Sequence, residues 1–233
     1  MPDLTAALLL VELILLIATL LLLTLGRREA KARESLLQQM THTARMVSRQ
    51  EYFNSLHFVM QNAKNSIKGS ITGSHPTTPE QNDQVQGILN HIGTAKSRGV
   101  EIQYLLPKSQ DRIMVASAYK EAGAEIRFHP GLLVSDLRYT VVDNNHTVIG
   151  LATTTGQNQP TREGYVIPSE GFAQIFLRQF QDRWEEAVGY DDYFKDILSE
   201  IKSHNPTVST QLLSSQLQVP ETEIQRILGI TAR

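Results

Sequence analysis

The residues whose types and spacing can do chemistry lie between positions 129 and 150. Asp136 and Arg138 stand two apart in the run Asp136-Leu-Arg-Tyr-Thr-Val-Val-Asp143, whose β-branched and aromatic residues read as a strand. Two apart on a strand means one face. A guanidinium there binds phosphate or carboxylate through paired hydrogen bonds. A carboxylate beside it can neutralise that charge or, in principle, attack phosphorus to form an acyl phosphate. Against that chemistry, an aspartate facing a phosphate anion is repelled. His129 and His146 flank the run as acid, base or anion-binding candidates, yet neither is in register with it. Arg138, His129 and His146 are therefore the ligand-binding candidates. Asp143, followed by Asn144-Asn145, suits a turn shaped by its side chain, and Gly150 suits close backbone approach in a strand. His57, His75 and His91 show no ligand spacing and the chain has no cysteine, so no metal and no cofactor is expected.

The elements that must hold these residues alternate between helical and extended patterns from about residue 51. Helices are expected over 53–63, 85–98, 111–122 and 170–188, and strands over 66–73, 100–106, 125–128, 137–142, 147–151 and 164–167. Gly99 and Gly123 act as helix stops. Alternation of this kind predicts an α/β fold, a mixed β-sheet flanked by helices. Residues 29–50 carry an apolar stripe, Leu36, Leu37, Met40, Ala44 and Val47, at helical spacing. Residues 190–233 read as a polar tail of three short helices, the last two joined at Val219-Pro220 in a helix-turn-helix-like manner.

The stretch from Asp136 to Gly150 resembles the signature of the phospholipase D superfamily: His-x-Lys, then Asp, then Gly-Ser and Asn. The strand and helix before Gly99–Pro107, and the strand and helix from Arg162 to Trp184, agree with that resemblance, which covers about residues 51–188. It implies a phosphodiesterase in which histidine is the nucleophile and lysine steadies the phosphate. Here Asp136 stands at the histidine position and Arg138 at the lysine position. Asp143 and Gly150 match, while Leu151 and Thr154 replace the serine and asparagine. The resemblance thus points to a degenerate, single-motif, non-catalytic member, a pseudoenzyme. By the same resemblance, one motif per chain implies a homodimer placing two motifs face to face.

The N-terminus carries the strongest compositional asymmetry. Leu4–Gly26 is apolar with one charge, Glu12, and as a helix would be about 34 Å long, enough for the hydrocarbon core. Arg27, Arg28, Lys31 and Arg33 follow it and no basic side chain precedes it. An uncleaved single-pass anchor is expected, with the N-terminus outside and the remainder at the cytoplasmic face of the cell membrane. Glu12 either snorkels or pairs with another transmembrane helix. The expected divisions are 1–27 anchor, 28–50 juxtamembrane helix, 51–189 phospholipase D-like domain and 190–233 tail.

Three functions follow as expectations. The first is a membrane-anchored binding, scaffold or accessory subunit, in contact with the lipid bilayer and forming a homodimer or part of a membrane complex. The second is a phosphodiesterase or phospholipase of unusual chemistry. The third is a membrane-tethered helix-turn-helix regulator. A net charge of −2 for the whole chain, with an acidic tail, argues against nucleic acid as a partner.

Overall fold

The structure, a computed structural model, describes residues 44–72, 75–132, 137–151 and 163–230. The chain separates into two units, 1–43 and 44–233. The expected span, with Glu12, Arg27, Arg28, Lys31 and Arg33, falls in the first unit and outside the described residues, as does the 28–43 part of the expected helix. Among the described residues no helix is long and apolar enough to cross a membrane.

The second unit is built on an eight-stranded mixed sheet. In chain order its elements are β1 (Arg45–Ser48), α1 (Arg49–Gln61), β2 (Ser66–Ser70), α2 (Pro79–Ser97), β3 (Glu101–Pro107), a 3-10 turn (Gln110–Arg112), α3 (Ile113–Glu121), β4 (Glu125–His129), β5 (Arg138–Val142), β6 (His146–Leu151), β7 (Glu163–Ile167), α4 (Glu170–Glu186), β8 (Val188–Gly189), α5 (Tyr190–His204), α6 (Thr210–Leu217) and α7 (Glu221–Leu228). The strands lie in the order β1-β7-β6-β5-β2-β3-β4-β8. β2, β3 and β4 are parallel, and the other pairings are antiparallel. The expected α/β architecture is what forms.

One expectation is corrected at the start of this unit. Residues 45–48 are a strand, not the end of a helix. Val47 is buried against the core while its neighbours are exposed, and the segment pairs with β7. The helix begins after Ser48, whose hydroxyl accepts from the Glu51 N–H while the Glu51 carboxylate accepts from the Ser48 N–H. This reciprocal cap satisfies donors that the first helical turn leaves open.

Two apolar layers enclose the sheet. On one face α1, α2, α3 and α5 share a core with Ile67, Ile102, Tyr104, Leu106, Ile126, Phe128, Val142 and Val148. On the other, α4 lays Phe180 and Trp184 on Leu105 and Leu132, and Phe176 on Tyr139. The C-terminal helices join the first layer: Phe194, Ile197, Leu198, Leu213, Leu217 and Ile224 are buried in it. Three short helices do form over 190–228, and their packing is continuous with the sheet domain.

Candidate functional site

β2, β3 and β4 run parallel, so their carboxyl ends, Ser70, Pro107 and His129, share one edge of the sheet. In open α/β sheets this edge is where ligands bind. β5 runs the other way and begins there, with Tyr139 opposite Ser70. Arg138 is therefore delivered to the strand-end edge, half-buried, by strand register alone.

Arg138 pairs with Gly150 on β6, and Gly150 pairs with Gly164 on β7. The two glycines leave the sheet bare between Arg138 and Val47 of β1, a floor open to groups from above. Alternation places Arg138 and Thr140 on the same face as Val142, toward α1. The aromatic ring of Tyr52, from α1, lies on Gly164: a Cβ there would stand 2.6 Å from the ring and 2.5 Å from the Ile149 carbonyl oxygen. Gly69 repeats the arrangement, where a Cβ would meet the Tyr139 carbonyl oxygen at 2.6 Å and the Tyr104 ring at 3.0 Å. Tyr104 packs edge-on against Tyr119 with ring centroids 5.3 Å apart. Glycine at these two sheet positions admits tyrosine rings where another residue would exclude them.

Tyr52, Tyr104 and Tyr119 are all buried. Burial pushes the Tyr52 phenol up to about 12, with the Arg138 charge opposing, so it stays protonated. Burial likewise raises Tyr104, with Tyr119 adding to it. Burial lowers the Arg138 pKa, Tyr52 opposing and the charge of Arg112 adding. Arg112, in the 3-10 turn, is 1% exposed and lies 3.2 Å from the Asp111 carboxylate. Arg112 thus adds a second positive charge to the surroundings of Arg138. The cleft lined by Ser70, Thr72, Pro107, Leu132, Leu137 and Arg138 has no room for a water-sized sphere. A wider cleft of about 590 Å³ is lined by Arg112 together with His75, Ser109, Asp111, Met114 and Gln218 among others.

The remaining expected residues lie apart from Arg138. His129 ends β4, three strands from β5 or about 14 Å, on the opposite face of the sheet. Its Nδ1 accepts from the Gly131 N–H at 3.0 Å and its Nε2 lies 3.4 Å from Glu186. His146 sits at the other end of β5 and β6, its Nδ1 2.6 Å from the Asn145 side-chain oxygen. Asp143 is also at that end. Asp143 and Asn144 both have positive φ, 51° and 60°, as a two-residue hairpin turn requires. The Asp143 carboxylate accepts from the N–H groups of Lys64, Asn65 and Ser66 at 2.7–3.1 Å, tying the hairpin to the α1–β2 junction. Burial pushes this carboxyl up, but the three N–H groups and the Lys64 charge outweigh it and its pKa is lowered. The geometry gives Asp143 a structural task. Asp136 and Thr154 lie outside the described residues.

Tyr52, Tyr104 and Arg112 carry the site and were not singled out by sequence spacing. The only trace of them is the glycines opposite, which mark close approach without naming the approaching group.

The fold has known counterparts. The chain is similar to Nuc from Salmonella typhimurium, a phospholipase D family member, at 20% identity over 64% of this chain and 97% of that one, with a TM-score of 0.50. It is also similar to NucT from Helicobacter pylori (14% identity, 63% of this chain and 98% of that one, TM-score 0.49). TrmBL2, an archaeal chromatin protein, matches at 20% identity over 70% of this chain and 63% of its own length, with a TM-score of 0.45. No protein-family model matches the sequence. No curated protein matches it either.

Proposed function

We propose that this chain, whose sheet domain has the phospholipase D-like fold, is a membrane-anchored, non-catalytic member of that fold. It acts as a binding or accessory subunit at the cytoplasmic membrane face. The observation that carries this reading is the packing of Tyr52 on Gly164, with Tyr104 on Gly69, beside Arg138. In this reading the rings fill the space beside Arg138 that a phosphodiester would need. The sequence agrees, because the motif offers Asp136 where the nucleophilic imidazole would stand, and the described histidines of the motif region, His129 and His146, lie elsewhere. A homodimer or a larger membrane complex is the state in which such a subunit works, and a bilayer anchor raises the local concentration that favours it.

The helix-turn-helix-like pair α6–α7 supports a packing role over nucleic-acid reading. At the surface, Glu223 of α7 accepts from Lys120 of α3, and Arg226 of α7 donates to the carboxylates of Glu223 and of Asp191 on α5. The basic group that a duplex would need is already engaged.

The test uses the full chain purified in mild detergent. Bis(p-nitrophenyl) phosphate, phosphatidylcholine vesicles and single-stranded DNA are expected to show no hydrolysis above buffer. Native mass measurement is expected to show a defined oligomer or complex. Turnover that tracks with the protein through purification and disappears in Arg138→Ala would overturn the proposal and favour the phosphodiesterase reading.

A further inference from the structure

α1 and α2 meet along a seam. At one end Arg49 donates to the Gln84 side-chain oxygen at 3.1 Å, with the Glu80 carboxylate 3.8 Å from the same guanidinium. At the other end Arg98 donates to the Ala63 carbonyl at 3.0 Å. Between them the rings of His57 and His91 stand 5.0 Å apart, centroid to centroid, at a 48° tilt. Gly87 admits them: a Cβ there would stand 2.7 Å from Cε1 of His57 and push the ring aside. Glycine weakens a helix interior, so α2 gives up stability at this notch. His91 lies one turn beyond Gly87, and helical side chains lean toward the N-terminus, which carries its ring back over the notch. The Nδ1 of His57 is buried and has no hydrogen-bond partner. An imidazolium carries a proton on both ring nitrogens, so charging His57 puts a buried N–H where no acceptor stands.

The surroundings of the pair also oppose a proton. Burial lowers the pKa of both rings, His91 adding to the effect on His57 and Arg98, two turns along α2, to that on His91. The Glu80 carboxylate is 11 residues from His91, about 16 Å along the helix axis and beyond the roughly 10 Å screening length. On the other packed elements the ionisable groups have partners of their own: Arg45 of β1 has Glu51, Arg138 of β5 lies beside Tyr52, His146 of β6 has Asn145, Glu101 of β3 has Lys68, and Lys120 of α3 has Asp191 and Glu223. Asp83 of α2, Glu121 of α3 and Glu163 of β7 are exposed. Unfolded imidazoles titrate near 6.5, so the seam is at full strength above that value and loses stability as the pH falls from it toward the lower folded values. We propose that the His57–His91 pair is an acid-released latch: charging the two facing rings parts α1 from α2 and frees the helix that carries Tyr52. Tyr52 lies on α1 five residues before His57, with its ring on Gly164, so movement of this helix uncovers the strand-end site. That last step rests on the reading of the Tyr52 ring as the cover of the site; release of the seam does not.

The experiment is amide hydrogen exchange of the full chain in detergent, read by mass spectrometry at about pH 7.5 and 5.5 and corrected for the chemical exchange rate. At the lower pH the amides of α1 and α2 are expected to exchange about tenfold faster, and those of α4 and α5 less than about twofold faster. His91→Gln, at a half-exposed position, removes one of the two charges and is expected to cut the response to about threefold or less; His57→Gln with His91→Gln is expected to abolish it. Sulfate, whose charge is constant over this range, is expected to slow exchange in β5 and β6 at the lower pH and not at the higher. Unchanged protection of α1 and α2 overturns the latch, as does a loss shared equally with α4 and α5 or one that persists in the double variant. Release of the two helices without an effect of sulfate refutes the link to the strand-end site and leaves the latch standing.

Discussion

Replacing Tyr52 by alanine tests whether this ring closes the strand-end site. Tyr52 is 6% exposed. A buried aromatic side chain removes roughly 150–250 Å² from water, and at about 25 cal/mol per Å² its ring contributes about 4 kcal/mol once the retained Cβ is discounted. That agrees with the roughly 3–5 kcal/mol measured when large aromatic groups are cut back in other cores. Because domains of this size are stable by only about 5–15 kcal/mol, the variant should remain folded but be sharply destabilised. The chain has one tryptophan, Trp184, 6% exposed and stacked on Phe180 at 5.2 Å, which makes its emission a direct reporter of this unit. Urea unfolding of the full chain in detergent, followed at Trp184, is the assay. Tyr52→Phe keeps the ring and should cost about 1 kcal/mol or less. With the floor of Gly150 and Gly164 uncovered, inorganic phosphate should protect Tyr52→Ala against unfolding more than it protects the parent chain. A loss under about 1.5 kcal/mol for Tyr52→Ala would mean that the ring is not what fills the site. Equal phosphate protection of the two chains would refute the closure itself.

Asp143→Ala should cost about 2–3 kcal/mol in the same unfolding assay, because it leaves the part-buried Ser66 N–H without its acceptor and puts a less tolerant residue at φ 51°. The folded-state pKa of Asp143 lies below 3.8, so its contribution is complete above that value and is lost as pH falls through the lower folded pKa; the gap between Asp143→Asn and the parent should close in that acid range. Asp191 follows the same sign. Hydrogen bonds from Arg226 hold its pKa at about 2, and the deficit of Asp191→Asn should shrink as pH drops from about 4 toward 2, modestly because the carboxylate is half exposed. Gly164→Ala drives a Cβ to 2.5 Å from the Ile149 carbonyl and should cost about 1–3 kcal/mol or more, visible as a lowered urea midpoint at unchanged slope.

What the sequence reveals of this fold depends on how local its cause is. The turn at Asp143-Asn144 and the helix stops at Gly99 and Gly123 were legible because each needs a positive φ that few residues tolerate, and all four have it. The central strands were legible from their apolar runs. β1 was not, because Val47 is its one buried residue and a single inward position has no period; its spacing from Ala44 also fits a helical stripe. The better signal was Ser48-x-x-Glu51, a cap that places the helix start after residue 48. β8, two residues long, carries no pattern at all. In the site, the Arg138–Gly150 pairing follows from the hairpin register. Tyr52 and Arg112 arrive from α1 and the 3-10 turn, and only three-dimensional packing brings them near. The same holds for the meeting of His57 and His91.

The sheet's two outermost members, β1 with four residues and β8 with two, are its shortest. A hydrogen-bonding rim that brief offers a neighbouring copy little to zip onto, and Arg45, its side chain 74% exposed, sets a charge on one of the two rims. Copies crowded together therefore have no easy route to joining rim to rim into fibres. Among the described residues, association is left to helices, loops and side-chain surfaces, where shape and charge choose the partner.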